Sequence, residues 1–257
     1  MNLKDIKKIT IPEGSVKKIE DSNGNIIWGS QSAFPYRRLE YIHFNGTDNY
    51  IDTNFVITKS TSLGIKGQYE NKSSSNVNGR ILGSYSGNVT NTSRRFYFDN
   101  ADQTKFRWVG GSTWNQGNTY DLNTHWFVCA FASDFKTIAF LQRDATNTTD
   151  EYFLRQVNTT AFTGYKSHLA IGTNLNEQGT IDVSPLFKGK VYEFVVKSGS
   201  DWASNTYLRR YIPVQRKSDG KCGMYDSVNN VFYLIQGTND SSNAGPIVDE
   251  YWDLTTI

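Results

Sequence analysis

The chain has 257 residues, 14% of them aromatic, and its 27 Lys and Arg residues nearly balance 25 Asp and Glu residues, leaving a net charge of +2. The aromatic content argues against a disordered chain, and so small a net charge predicts neither a nucleic-acid partner nor an anionic membrane partner. Two cysteines, Cys129 and Cys222, are too few for a disulfide framework or a four-cysteine zinc site. The length suits one large β-domain with a short extension.

Residues 1–30 differ from the rest and are predicted to form a separate N-terminal β segment. Asn23-Gly24 lies between apolar runs, which is a strong hairpin signal. One hairpin is marginally stable alone, so this segment is expected to join a larger assembly or to pack on the body. Residues 1–8 lack the apolar stretch of a secretory signal, and no run reaches the ~18 apolar residues of a membrane span. We therefore expect folding in the cytoplasm and no membrane insertion.

The body, residues 31–257, is predicted to be all-β because short apolar or alternating runs recur between Gly, Asn, Asp and Ser. Their spacing is typical of a sandwich or barrel. The predicted strands are 41–44, 50–52, 63–69, 80–85, 95–98, 105–109, 124–132, 136–143, 152–154, 169–173, 187–197 and 231–233. Strands 124–132 and 136–143 are apolar enough to form a central hairpin covered on both faces.

Two further segments complete the predicted body. Residues 201–210 are the single helix candidate, of one or two turns, because a Ser-rich approach precedes Trp202 and Leu208. Towards the C-terminus, residues 218–220 and 229–230 are turn sequences around a short strand at 223–226. This pattern predicts a meander that closes the edge of the sandwich.

Residues 84–120 hold the candidate ligand contacts. Aromatic rings can stack on sugar rings, while the surrounding amides and hydroxyls can hydrogen-bond to sugar hydroxyl groups. The candidates are Tyr85, Arg95, Tyr97, Trp108, Trp114 and Tyr120, with Trp114 expected in an exposed loop at 110–118. The alternative is that these are single exposed aromatics, which are common on protein surfaces.

Three acidic residues are candidate calcium ligands, since Ca²⁺ prefers carboxylate and carbonyl oxygens. They are Asp99, Asp102 and Asp121, in segments expected to be loops. The alternative is that these segments are ordinary turns, which Asn and Asp favour without a metal.

No enzymatic motif stands out, so the chain is not expected to be an enzyme. A glycosidase needs two carboxylates at a fixed separation, and the Glu-x-Asp-x-x-Glu strand of retaining enzymes with a jelly-roll fold is missing. The three histidines have neither metal-ligand spacing nor a Gly-x-Ser-x-Gly partner. Gly110-Gly111 precedes no helix of the kind found in nucleotide-binding loops.

Several stretches of the body resemble the concanavalin A-like, laminin-G-type jelly roll. They are Phe44-Asn-Gly-Thr-Asp-Asn-Tyr-Ile-Asp-Thr, Leu169-Ala-Ile-Gly-Thr and Phe187-Lys-Gly-Lys-Val-Tyr-Glu. The family pattern closes on Phe-x-Gly-x-Ile-x-Glu, which corresponds here to Phe187, Gly189, Val191 and Glu193. The resemblance implies a jelly-roll β-sandwich, in which a calcium ion at the rim is frequent.

A more specific resemblance lies at the two ends of the chain. Tyr211-Ile-Pro-Val-Gln-Arg-Lys-Ser-Asp-Gly-Lys-Cys-Gly-Met-Tyr-Asp is similar to the C-terminal signature of phage and prophage tail and fibre proteins, and residues 9–28 resemble their N-terminal segment. This implies a virion protein, attached through residues 1–30 to other virion proteins and expected to be a homo-oligomer. Its body would bind host-surface polysaccharide, or would act only as a capsid or tail decoration or connector. A glycoside hydrolase is a distant third possibility.

Overall fold

Nearly all regular secondary structure in the described residues is β-strand. The computed structural model describes residues 34–58, 61–70, 79–84, 167–181, 186–199 and 206–249 in full, and otherwise only strand backbones between residues 18 and 156. One 3-10 turn, Ser241–Asn243, is present. Within these ranges no helix has the length and apolar character needed to cross a bilayer.

Nineteen strands are described. In chain order they are β1 (Lys18–Glu20), β2 (Ile26–Gly29), β3 (Tyr36–Leu39), β4 (Ile42–Asn45), β5 (Ile51–Asp52), β6 (Thr61–Tyr69), β7 (Arg80–Ser86), β8 (Arg94–Asp102), β9 (Lys105–Gly111), β10 (Thr113–Thr119), β11 (His125–Ala132), β12 (Thr137–Asp144), β13 (Asp150–Gln156), β14 (Ala170–Ile171), β15 (Lys188–Ser198), β16 (Tyr207–Arg216), β17 (Cys222–Asp226), β18 (Val231–Leu234) and β19 (Ile247–Asp249). Each predicted strand coincides with an observed one, although the ends differ by a few residues.

The body is a sandwich of two antiparallel sheets. One sheet has six strands in the order β10-β9-β8-β7-β14-β5. The other has eleven, with the main path β13-β12-β11-β6-β15-β16-β17-β18, while β4 pairs with β15, β3 with β16, and β19 with β3. The predicted hairpin is present as β11–β12, inside the path of the larger sheet. The expected all-β jelly-roll sandwich is therefore confirmed.

The hydrophobic core lies between the two sheets and draws side chains from both. Ile51, Leu82 and Ile171 come from the smaller sheet, and Phe194 and Tyr211 from the larger one, all fully buried. Tyr211 stacks on Phe194 with ring centroids 5.2 Å apart, and its hydroxyl donates to the Thr53 carbonyl oxygen at 3.0 Å. This hydrogen bond compensates for burying the hydroxyl, so aromatic packing can fill the core without an unpaired polar group.

The Phe-x-Gly pattern of β15 has a steric basis. Gly189 has φ +152°, and a Cβ there would lie 2.1 Å from the Gln68 carbonyl oxygen of β6. Phe187 and Val191 on either side are buried in the core. Only glycine permits this close approach of two strands, and its neighbours anchor β15 to the core.

The N-terminal hairpin is confirmed as an antiparallel pair, β1–β2, with Ile19 opposite Trp28. It forms a two-stranded sheet of its own. The division into residues 1–30 and 31–257, and the role of the first part in attachment, stay predictions.

The prediction of a helix at residues 201–210 is wrong for residues 207–210, which form a strand. Residues 207–210 open β16, which pairs with β15, β17 and β3. Tyr211, Ile212 and Val214 favour a strand, and Pro213 would break a helix that continued through it. Pairing on both sides therefore overrides the weak helical spacing. Residues 201–205 lie outside the described residues.

The predicted C-terminal meander is confirmed as β16-β17-β18, ending one edge of the larger sheet. Its first turn closes through the Gly220 N–H and the Arg216 carbonyl, and its second through the Asn230 N–H and the Asp226 carbonyl. Asn230 has φ +58°, a conformation that Asn tolerates better than most residues.

A partly buried polar network joins the turn at residues 44–49 to the C-terminal segment. We call it the asparagine clamp; its members are Asn45, Asp48, Asn49, Thr238 and Asn243. The Asn49 amide donates to the Thr238 carbonyl and accepts from Asn243 Nδ2 at 2.9 Å and from the Asn45 N–H at 3.1 Å. Asn49 and Asn243 are almost fully buried. This turn therefore acts here as a structural clamp on the C-terminal segment.

Asp48 should make stability depend on pH. Donors from the Asn45 amide, and then from the Thr238 hydroxyl and N–H, hold the pKa of Asp48 below its ordinary value. The folded state therefore favours the carboxylate, and this stabilisation is present above the ordinary pKa of 3.8 and is lost as pH falls through the lowered one. We expect Asp48→Asn to lower the urea midpoint at pH 7 and to lower it less at pH 2.5. An equal loss at both pH values would contradict a role for the charge.

Candidate functional site

The sequence-predicted sugar contacts fall on adjacent strands of the six-stranded sheet. Tyr85 lies in β7, Arg95 and Tyr97 in β8, Trp108 in β9 and Trp114 in β10. Tyr120 is outside the described residues. The sheet order β10-β9-β8-β7 makes these four strands neighbours, so the structure brings the candidates together.

The register of the strands sorts these candidates by face. Tyr85 is opposite Arg95, whereas Tyr97 and Trp114 are both opposite Val109. Since directly paired residues share a face and alternate residues repeat it, Tyr85, Arg95, Tyr97 and Trp114 lie on one face, which we call the aromatic face.

Trp108 lies on the opposite face. It is paired with Phe98, and Phe98 is paired with Leu82. Leu82 is in turn paired with Ile171, and both are fully buried in the core. The register therefore assigns Trp108 to the core side of the sheet, away from the aromatic face.

The expected loop at 110–118 is wrong: Trp114 lies in β10, the edge strand, paired with β9. The sequence of this segment predicts a loop because it is rich in Gly, Asn, Gln and Thr. A polar strand is tolerated at the edge of a sheet, where few apolar neighbours are available. The correction moves Trp114 from a loop to a strand backbone with defined neighbours.

A buried amide borders the aromatic face. Gly83 is paired with Tyr97 and so belongs to this face, and a Cβ on Gly83 would lie 1.4 Å from Asn174 Oδ1. The Asn174 side chain therefore occupies the space that a side chain at position 83 would need. Among the described residues, neither its Oδ1 nor its Nδ2 has a hydrogen-bond partner, although Asn174 is fully buried. An unpaired buried amide lowers stability, and native proteins keep few such groups, so Asn174 marks this border as a binding candidate.

The three candidate calcium ligands do not lie in loops as far as the structure describes them. Asp99 and Asp102 lie in strand β8 and not in a loop, because this segment pairs with β9, with Asp99 opposite Arg107. Asp121 is outside the described residues. Among the described residues no group of three or more His, Cys, Asp or Glu side chains is placed to hold a metal. A calcium site at these aspartates stays a prediction.

A polar cavity on the larger sheet was not anticipated from the sequence. It has a volume of about 440 Å³, and its lining includes Arg38, Glu40, Lys66, Tyr192, Glu193 and Arg210. We call it the fork pocket.

The fork pocket exists because two neighbouring strands diverge. Residues 194–197 of β15 pair with residues 207–211 of β16. Beyond this stretch the two strands separate: residues 188–191 of β15 pair with β4, and residues 214–216 of β16 pair with β3. A β-bulge between Val191 and Glu193 accompanies this split. Pro213, which has no backbone N–H to donate to a neighbouring strand, lines the fork pocket where the two strands separate. Bulges of this kind redirect side chains and are frequent beside binding sites.

Electrostatic contacts organise the walls of the fork pocket. Arg210 Nε donates to Glu193 Oε1 at 2.8 Å, and Lys66 Nζ lies 5.5 Å from the centre of the Tyr192 ring. Burial, followed by the neighbouring Glu40, raises the pKa of Tyr192 far above its usual range. The Tyr192 hydroxyl therefore keeps its proton and donates to Gln68 at 3.4 Å.

Sequence reasoning missed this pocket because its walls are far apart in the chain. Arg38 lies in β3, a strand that was not predicted, and Glu40 directly follows it. Arg210, now in β16, was predicted to lie in a helix. One signal was available: Glu193 is the only acid in a strand otherwise rich in apolar residues.

Comparison with models of known families gives no match, and comparison with curated protein sequences gives none either. Among solved structures, the chain is similar to a Bacteroides ovatus ATCC 8483 protein for which carbohydrate binding has been suggested, with TM-score 0.46 and 14% identity. The match covers 82% of this chain and 62% of that one, so the chain spans less than two thirds of that protein.

Proposed function

We propose that this protein is a bacteriophage virion appendage whose jelly-roll body binds host-surface polysaccharide through the aromatic face. One observation carries the binding part of the proposal. The strand register gathers Tyr85 of β7, Arg95 and Tyr97 of β8, and Trp114 of β10 on one face of the smaller sheet. The buried amide of Asn174, which has no hydrogen-bond partner in the described part of the chain, borders this face.

The chemistry of these groups suits a sugar chain. An aromatic ring offers a flat apolar surface to the C–H face of a sugar, while guanidinium and amide groups hydrogen-bond to hydroxyls. These residues come from three of four adjacent strands, neighbouring strands lying about 4.8 Å apart, and a row of this length matches a polymer better than a single small molecule. Weak contacts of this kind become effective when many copies act together on one particle.

The virion part of the proposal depends on the sequence resemblance at the two ends of the chain. Residues 1–30 would attach the protein to other virion proteins, and the body would face outward as a homo-oligomer. Binding is proposed without hydrolysis, because the chain lacks the Glu-x-Asp-x-x-Glu strand of retaining glycosidases with this fold.

The decisive variant for the binding proposal is Trp114→Ala. Removing one stacking aromatic from a sugar site should weaken binding about tenfold, corresponding to about 1.4 kcal/mol. The measurement is biolayer interferometry of the full-length protein on immobilised wall teichoic acids, capsular polysaccharides and lipopolysaccharides, with calcium and with chelator. Chelator sensitivity would add a calcium site.

The matched control is Trp28→Ala, which truncates the same residue type in the N-terminal hairpin and should leave polysaccharide binding unchanged. If Trp114→Ala binds as the unmodified protein does, the aromatic face is not the site. If the folded protein binds none of these polymers in any oligomeric form, the adhesin proposal fails.

A purely structural decoration or connector is the second candidate, and exposed apolar side chains favour it. Val228 and Val231 in the C-terminal meander are 43% and 40% exposed, and Val248 in β19 is 54% exposed. Exposed apolar groups of this kind are suited to contact with other virion proteins. Under this alternative, substituting Val228 and Val231 with Ser would impair incorporation into particles, whereas Trp114→Ala would not.

A further inference from the structure

We propose that the fork pocket is a second ligand site, distinct from the aromatic face, and that it binds a neutral sugar unit. The inference rests on the proposed function only in taking a glycan as the ligand. The site lies on the eleven-stranded sheet, whereas the aromatic face belongs to the six-stranded one. Its volume of about 440 Å³ falls within the ~300–1,000 Å³ of small-molecule sites.

The balance of charge in the pocket favours a neutral ligand. Three cations and three carboxylates line it: Arg38, Lys66 and Arg210 against Glu40, Glu193 and Asp249. A sugar acid or an amino sugar would meet like charges as well as opposite ones, and placing a charge near like charges is unfavourable. A neutral sugar meets no such repulsion and can hydrogen-bond to groups of either charge.

Two side chains of opposite charge in the fork pocket, Arg38 and Glu40, can hydrogen-bond to the hydroxyl groups of a sugar. Within the described part of the chain, the side chains of Arg38 and Glu40 make no hydrogen bond or ion pair, unlike Glu193 and Arg210, which are paired with each other. A sugar hydroxyl can accept a hydrogen bond from a guanidinium and donate one to a carboxylate at the same time. Hydrogen bonds to charged groups are stronger than neutral ones.

Apolar groups of the same pocket complement the C–H face of a sugar. Ile212 lines the wall, and Val248 lies at the rim with 54% of its surface exposed. The combination of charged hydrogen-bonding groups with a small apolar surface is typical of sites for amphipathic ring ligands.

The corner that carries Glu40 is fixed in place. The Glu40 N–H donates to the Pro246 carbonyl at 2.8 Å, and the Gly245 N–H donates to the Tyr41 carbonyl at 3.1 Å. A site held by backbone hydrogen bonds loses less conformational entropy on binding than a flexible one.

The test is a titration of the full-length protein, labelled at the isoleucine δ1 methyl groups and followed by NMR. The probes are glucose, galactose and N-acetylglucosamine as neutral sugars, and glucuronic acid and glucosamine as charged ones. We expect a neutral sugar to shift the Ile212 methyl signal at millimolar concentration, with the charged sugars at least tenfold weaker. The Ile171 methyl, in the sheet of the aromatic face, serves as reference.

Glu40→Gln removes the carboxylate without changing its size, and it should weaken the Ile212 response about tenfold. Glu40 is exposed, so the substitution should leave the fold intact. The matched control is Glu177→Gln, an exposed carboxylate in the turn after β14, which should not change the response.

The outcomes separate this inference from the proposed function. If Ile212 does not respond to any sugar while polysaccharide binding still depends on Trp114, the inference is wrong and the proposed function stands. If Ile212 responds but no polysaccharide binds through Trp114, the second site stands alone. Preference for a charged sugar, or an unchanged response in Glu40→Gln, would overturn the proposed ligand.

Discussion

Asp226→Ala is expected to lower the free energy of unfolding by about 3–5 kcal/mol, because its loss leaves several donors without an acceptor at about 1–3 kcal/mol each. The Asp226 carboxylate is fully buried and accepts from the N–H groups of Arg210 and Val228, each at 3.1 Å. It also accepts from Asn229 Nδ2 at 2.8 Å and lies 3.3 Å from Arg209 Nε. Alanine would leave these donors without an acceptor where β16, β17 and their turn meet. Urea unfolding at pH 7 measures the loss.

The control for Asp226 lies in the other turn of the same meander. Asp219 is paired with Arg216 at 2.6 Å, but both side chains are well exposed. Exposed ion pairs contribute little because water solvates the separated charges. Asp219→Ala should therefore leave the urea midpoint nearly unchanged. Equal losses in the two variants would contradict burial as the reason for the effect.

Asn49→Ala is expected to lower the free energy of unfolding by about 3 kcal/mol, because each buried group left unpaired costs about 1–3 kcal/mol. The substitution removes partners from the Thr238 carbonyl, from Asn243 Nδ2 and from the Asn45 N–H. It also leaves a cavity at a fully buried position. Urea unfolding monitored by tryptophan fluorescence provides the measurement.

Asn176→Ala is the comparison for Asn49. Asn176 Oδ1 accepts from the N–H groups of Gln178 and Thr180, but these hydrogen bonds are exposed. Water can replace them, so this variant should lose well under half as much stability. If Asn49→Ala proves as mild as Asn176→Ala, the asparagine clamp does not hold the C-terminal segment.

Strand prediction succeeded where apolar residues alternate locally and failed where only long-range pairing defines the strand. β6 and β15 carry dense apolar runs, and both were predicted. β10 is polar, and β16 begins with Tyr-Leu-Arg-Arg, which has no clear period. Their backbone hydrogen bonds are made to neighbours that a local window does not contain.

The candidate residues for sugar binding show the same limit. The composition of residues 84–120 identified the aromatic and basic groups, but not which of them share a face. The ladder register places Tyr97 and Trp114 on one face and Trp108 on the other. Because a shift of one residue exchanges the faces of a strand, pairing partners have to be known before a surface can be assigned.

The sequence by itself determined the all-β class, most strands, the N-terminal hairpin and the C-terminal meander, because alternation and turn residues act over a few positions. Only the tertiary structure decided the aromatic face and the fork pocket. The pocket joins Glu40, Glu193 and Arg210 through the divergence of β15 and β16, each of which changes partners along its length. Contacts of this kind depend on which strands meet in three dimensions, and no local pattern encodes that choice.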